Sequence, residues 1–239
     1  GEVASLGQRA DPERAVVAID GRPIGGPPAH VYLALNKPPG VTSTTGDRHA
    51  ARTVVELVPA DLRRRAGRVY PVGRPDQDSE GLILLTNDGS WTERVLHPSH
   101  EIEREYAVGL GRPLTPGERA DLAAGIVLDE GLATVVHLRP MTEPEIRAVA
   151  AVMAPPPPPL SWYRVTLTQG WKRQIRRMCG AVGVPVVRLV RVRVGTLRLG
   201  ELAPGAVRIL SRREAEALLD GGSRRPVPRH DPHASPPSR

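Results

Sequence analysis

Apolar and polar residues alternate around Val31, Leu33 and Leu35, a period of two that predicts a strand running into the turn Asn36-Lys37-Pro38-Pro39-Gly40. Short strands are expected at 69–72 and 82–85, with the polar loop 73–81 between them. Asp88-Gly89 closes the second of these strands, 90–96 reads as a helix, and 102–110 alternates again as a strand. Thr115-Pro116-Gly117-Glu118 is a capping box with proline at the first helical position, and it opens a helix to about 124. A hairpin is predicted over 126–128 and 133–138 around Asp129-Glu130-Gly131. It is followed by a strand at 162–168, a helix at 172–182 and a long strand or hairpin at 184–199. Ser211 and Glu214 form a second capping box, opening a helix to 219, and a short helix is also expected at 53–58. The five prolines 155–159 make a stiff extended loop. Strands and helices interleave irregularly, with hairpins. This favours an α+β fold with a mixed, mostly antiparallel sheet over a doubly wound one.

Composition agrees with a globular protein: of 239 residues, 40% are hydrophobic and 25% charged. No apolar run approaches the roughly 20 residues of a membrane span. Nothing from Gly1 to Asp11 has the apolar core of a signal peptide, and the single cysteine, Cys179, allows no internal disulfide. A reducing, cytoplasmic setting, away from membranes, is the expectation. The net charge of +7 is unevenly spread. Residues 161–200 contain nine Arg and Lys and no Asp or Glu, so the other 199 residues together carry −2. Cationic charge gathered in one stretch implies a polyanionic partner, nucleic acid above all.

Two segments carry candidate chemistry. In Gly73-Arg74-Pro75-Asp76-Gln77-Asp78-Ser79-Glu80-Gly81, a loop with three carboxylates leads straight into the apolar run Leu82-Ile83-Leu84-Leu85. A loop held against a rigid strand is a common seat for catalytic groups. A calcium-loop reading of 76, 78 and 80 fails for lack of the glycine and the distal bidentate glutamate. In Gln169-Gly170-Trp171-Lys172-Arg173-Gln174-Ile175-Arg176-Arg177-Met178, helical spacing puts Arg173, Arg176 and Arg177 on one cationic face and Ile175, Met178, Cys179 and Val182 on an apolar one. That cationic face could line a phosphate groove, and one arginine could pair with a distant carboxylate. Cys179 reads as a small buried hydrophobe. His97 and His100 have metal-like spacing but Pro98 between them and no third ligand, so no metal site is expected.

These residues resemble, in order, the motifs of ribosomal-RNA pseudouridine synthases of the RsuA/RluB type, over about 190 residues from His30 to Leu219. Asn36 to Gly40 is similar to the family's opening turn. Gly73-Arg74-Pro75-Asp76 is similar to its catalytic Gly-Arg-Leu-Asp, and Gly81 to Gly89 to the strand that follows. Glu105-Tyr106 resembles its tyrosine motif, Gln174 to Met178 its basic helix, and Leu189-Val190-Arg191 with Gly195 its closing strand. The resemblance implies a pseudouridine-synthase-like sheet with flanking helices and a central active-site cleft. It implies isomerisation of a uridine in rRNA, large-subunit rRNA favoured, without a cofactor. Asp76 is then the carboxylate at the ribose, acting as nucleophile or as base toward the 2′ proton. Tyr106 stacks on the uracil, Arg176 pairs with Asp76, and Leu189 packs on the base. Lys172, Arg173 and Arg177, with Arg74, are expected to bind the RNA. Pro75 departs from the family's leucine; it restricts Arg74 to extended conformations and leaves the placement of Asp76 to be found.

The resemblance also divides the chain: 1–27 as the end of an N-terminal RNA-binding domain, 28–220 as the catalytic domain, and 221–239 as a disordered basic tail. A monomer is expected. A non-catalytic RNA-binding or ribosome-assembly factor explains the basic stretch but leaves Asp76 idle. A glycosidase using Asp76 with Asp78 or Glu80 leaves the cationic helix unexplained.

Overall fold

The computed structural model describes residues 2–11, 15–23, 28–44, 46 and 52–222. Two short strands, β1 (Ala18–Ile19) and β2 (Arg22–Pro23), form an exposed hairpin near the start of the chain. The body is built from β3 (Tyr32–Lys37), α1 (Ala60–Ala66), β4 (Tyr70–Val72), β5 (Glu80–Thr86), α2 (Gly89–Leu96), β6 (Arg104–Leu110) and α3 (Pro116–Ala124). The small hairpin β7 (Ile126–Leu128) and β8 (Gly131–Ala133) follows, then β9 (His137–Pro140), α4 (Glu143–Ala150), β10 (Ser161–Leu167) and α5 (Gln174–Ala181). The chain continues through β11 (Val186–Val194), β12 (Leu197–Arg198), β13 (Val207–Ile209) and α6 (Arg212–Gly222). Of the expected tail, 223–239 lies outside the described residues. No helix among the described residues is long and apolar enough to cross a membrane.

One mixed sheet organises the body, in the order β13-β3-β5-β11-β6-β10-β9, with β4 on β5 and β12 on β11. Every pairing between its strands is antiparallel except β5 with β11. β5 is buried along its whole length, which is why its sequence is a continuous apolar run rather than an alternation. Its Ile83 and Leu85, with Leu33 and Leu35 of β3, cover a core completed by Val54, Val58, Leu62 and Ala66. Leu82 and Leu84 face the opposite core with Trp91 and Leu218. A third core, under α5, gathers Val108, Val165, Ile175, Met178 and Leu189.

Some predicted elements differ. Residues 53–58 form no helix: Thr53 bridges Thr42, and Val54 and Val58 are buried in the turn that follows. β-branched Thr53-Val54-Val55 is a poor helix start. α1 follows Pro59 without a side-chain cap and buries only Leu62 and Ala66, too few apolar positions to show a period. α4 went unpredicted although Thr142 and Glu145 have capping-box spacing, and the Glu145 carboxylate accepts from the Thr142 N–H at 2.9 Å.

Candidate active site

The loop 73–79 joins β4 to β5 and is held by the segment that leaves β3. The Lys37 ammonium donates to the carbonyls of Pro38 (3.2 Å), Gln77 (2.9 Å) and Ser79 (2.6 Å). The Gly40 N–H donates to the Gln77 carbonyl at 2.9 Å, and the Ser43 hydroxyl donates to the Pro75 carbonyl at 2.8 Å. Lys37 is 1% exposed, and burial pushes its pKa down to about 8 against the pull of Glu80, Asp78 and Asp76. A buried ammonium is tolerated because its three donors are used. The opening turn is therefore the strap of the acidic loop, and it leaves the Asp76 side chain 24% exposed in a cleft.

The opposite wall comes from the loop 168–173 and α5, and here the sequence expectation is corrected. The helix starts at Gln174, and Arg173 stands before it in the left-handed conformation, φ 51. Arg173 thus leaves the helical face. Its guanidinium donates to Asp78 at 3.1 and 3.3 Å and lies 3.7 Å from the Asp76 carboxylate. Arg176 does not reach Asp76. It pairs with the Asp78 carboxylate at 3.2 Å and donates to the carbonyls of Asp78 (3.1 Å) and Val186 (3.0 Å). Arg177 is drawn aside to Glu130 (2.7 Å) and Asp129 (3.4 Å) at the β7–β8 turn, so it is not the free phosphate contact the sequence suggested. Burial alone would raise the Asp78 carboxyl. The Arg173 hydrogen bond and the Arg176 and Arg173 charges outweigh it and hold the group below its ordinary value.

Between these walls lies a cleft of about 800 Å³. Arg74, Asp76, Tyr106, Lys172, Arg173 and Leu189 all line it; Arg176 and Arg177 do not. Tyr106 arrives from β6 and Leu189, 5% exposed, from β11. Gly81 makes this meeting possible. It has φ +90, and a Cβ there would run into the backbone carbonyl of Arg191 and lie 2.9 Å from its nitrogen, so only glycine lets β5 approach β11 so closely.

Two cleft arginines had no site role in the sequence: Arg104, and Arg191 of the closing-strand motif. Arg104 donates to the carbonyls of Ile102 (3.3 Å) and Thr168 (3.2 Å), and Arg191, 8% exposed, donates to the Leu82 carbonyl at 2.6 Å. Among the described residues no ion pair engages either. Burial pulls the Arg104 pKa down, nearby Tyr106 partly offsets this, and Arg191 adds to it. The available signal was the alternation Glu103-Arg104-Glu105-Tyr106, which sends Arg104 to the same side as Tyr106.

The arrangement offers a carboxylate beside a guanidinium, an aromatic ring, an apolar floor and uncompensated positive charge. Among the described residues no group of three His, Cys, Asp or Glu could hold a metal ion, and the His97 ring is engaged by the Ser99 hydroxyl at 2.7 Å. Burial pushes the Cys179 thiol up to about 11, making it a packing residue beside Met178.

Residues 31–181 match the family model of RNA pseudouridylate synthases. An uncharacterised RNA pseudouridine synthase of Mycobacterium tuberculosis is 39% identical over 216 residues, covering 90% of this chain and 80% of the relative. Ribosomal large subunit pseudouridine synthase B of Salmonella typhi is 34% identical over 209 residues, 85% of this chain and 66% of the relative. A crystal structure of a pseudouridylate synthase superposes with a TM-score of 0.65 at 26% identity, covering 90% of this chain and 84% of that one. An acidic loop strapped against the central strand, a tyrosine and a leucine facing it across one cleft, and matches of this extent lead to one conclusion: the chain belongs to the RNA pseudouridine synthases, of the RsuA/RluB type.

Proposed function

We propose that this enzyme isomerises a uridine of large-subunit ribosomal RNA to pseudouridine, with Asp76 acting at the ribose and no cofactor. The reaction breaks the bond from ribose C1′ to uracil N1, turns the base, and joins C1′ to C5. The proton leaving C5 balances the one gained at N1, so nothing is oxidised or reduced. Attack on C1′ and removal of the 2′ proton both demand an ionised carboxylate against the sugar. Arg173, 3.7 Å away, is the cation beside the Asp76 carboxylate. Arg176 is a positioning residue that grips the loop through Asp78. A uridine within folded RNA must be flipped out at a cost of a few kcal/mol. Tyr106 and Leu189 are suited to hold the flipped base on either side. Arg74, Lys172, Arg104 and Arg191 supply positive charge for the backbone.

The observation that carries this reading is the meeting of Asp76, Tyr106 and Leu189 in one cleft with Arg104 and Arg191, which have no carboxylate partner among the described residues. The name of the Salmonella relative supports the choice of large-subunit rRNA. Asp76→Asn is expected to abolish tritium release from C5-labelled uridine in rRNA while RNA affinity stays within about twofold, since phosphate contacts supply affinity. Normal turnover in that variant would refute the role of Asp76, and no tritium release from the parent would favour the non-catalytic RNA-binding alternative for this cleft. Mapping pseudouridines in rRNA from cells with and without the gene identifies the target.

A further inference from the structure

The chain has three tryptophans and no phenylalanine, so each large aromatic surface is costly to leave wet. Trp91 and Trp162 are buried at 4% and 6% exposure, and the Trp91 indole donates to the Ala215 carbonyl at 2.9 Å. Trp171 differs. It packs against the core under α5 but is only half-buried, and it lines the cleft. The position is rigid. The Trp171 carbonyl accepts from the Gln174 N–H at 3.2 Å, and the Trp171 N–H donates to the Gln174 side chain at 3.4 Å. Gln174 is 3% exposed and donates to the Gln169 side chain at 2.7 Å. Gln169 in turn bonds the backbone of Leu132 (3.1 Å) and Thr134 (2.9 Å). The loop bearing Trp171 is thus bolted to β8, and a Cβ on Gly131 would stand 3.7 Å from the outer edge of the ring.

We infer that Trp171 is a stacking platform for a nucleobase flanking the target uridine. The inference rests on the proposed function for the identity of the strand, but concerns a different nucleotide. Tyr106 and Trp171 line one cleft without stacking on each other, and both, though packed in part against the core under α5, stay partly exposed. Lys172 and Arg74 stand in the same cleft for the intervening backbone. The face of an indole ring recognises any base by stacking, whatever the base's identity. A preorganised ring costs little ordering on binding.

The test uses the whole chain with a short single-stranded oligouridylate and the same strand carrying abasic sites. Binding of oligouridylate should quench tryptophan emission, and Trp171→Phe should remove the quenching because Trp91 and Trp162 are buried. Trp171→Ala should weaken oligouridylate binding roughly fivefold to a hundredfold, while Trp171→Phe stays within about threefold of the parent. The abasic strand keeps every phosphate, so the parent should lose more affinity for it than Trp171→Ala does, whose remaining discrimination comes from the base held by Tyr106 and Leu189. The salt dependence should be the same in parent and variant, because no phosphate contact is removed. If Trp171→Ala still discriminates uridylate from abasic strand as the parent does, or Trp171→Phe falls as far as the alanine variant, the platform is refuted. Failure to form pseudouridine in rRNA would overturn the proposed reaction while leaving this binding result standing.

Discussion

Two sets of arginines in one sheet have opposite surroundings. Across β6, β9, β10 and β11, charges alternate in a chain of pairs. Arg193 bonds Glu103 and Glu105 at 3.0 Å each, Arg164 meets Glu105 (3.4 Å) and Glu145 (3.1 Å), and Arg139 meets Glu145 at 2.6 Å. Glu145 is held well below the carboxylate range, first by Arg139 and then by the Thr142 N–H, against its partial burial and with help from Arg164. In the cleft, Arg104 and Arg191 satisfy themselves with carbonyls alone. The first set closes its charges within the protein and serves the fold. The second leaves positive charge in the cleft that is proposed to take the RNA. The basic stretch 161–200 mixes both kinds: Arg164, Arg173, Arg176, Arg177, Arg188 and Arg193 have carboxylate partners from distant parts of the chain, while Lys172 and Arg191 line the cleft without an ion pair among the described residues. A charge count along the sequence cannot separate them.

The largest effect is expected where a closed pair is opened. Glu80, with its side chain 4% exposed, holds Arg188 at 2.6 and 2.7 Å, and Arg188 also donates to the Pro155 carbonyl. Glu80→Ala leaves a buried guanidinium unmatched and should cost about 3–5 kcal/mol in urea unfolding. A loss below about 1 kcal/mol would mean that Arg188 finds water instead.

Lys37 lies between the two classes, buried yet bound only by carbonyls. Its folded pKa of about 8 is below the ordinary 10.5. Between these values the unfolded chain holds a proton that the folded one has released, so this group makes stability rise with pH from about 8 to 10.5. The rise, roughly 2–3 kcal/mol, should be missing in Lys37→Met when both proteins are unfolded across that range. Parallel pH profiles would show that the lysine titrates normally.

Arg104→Gln removes an uncompensated cation. Stability should hold, RNA affinity should fall about tenfold, and the slope of log K against log salt should shrink by about one. An unchanged slope would place Arg104 off the phosphate path. The smallest effect is expected for Arg177→Ala, whose charge Glu130 and Asp129 already take up. RNA binding should stay within about twofold of the parent, and a change as large as that of Arg104→Gln would erase the distinction between the two sets.

Legibility in the sequence followed the range of the forces. The box at Thr115 and Glu118 forms both its hydrogen bonds, and Ser211 with Glu214 likewise starts α6, because a cap is decided within four residues. The apolar run of β5 announced a buried strand. Unread were α1, which has too little apolar period, and the parallel pairing of β5 with β11, which joins residues more than a hundred positions apart.

By itself the sequence determined the elements with strong local signals, the α+β class, and the segments in which Asp76, Tyr106 and Leu189 would be found. Which side chains meet was decided only by tertiary structure. Strict alternation along β11 would put Arg191 and Arg193 on one face, but a register shift lies between them, and Arg191 lines the cleft while Arg193 joins Glu103 and Glu105 on the other side. Helical spacing puts Arg173 beside Arg176, and both do meet Asp78, but with Arg173 left-handed before the helix it is Arg173, not Arg176, that also comes within 3.7 Å of Asp76. Both outcomes turn on a local departure from regular backbone. A one-residue change of phase moves a guanidinium from one face to another, and no local pattern of hydrophobic and polar residues records it.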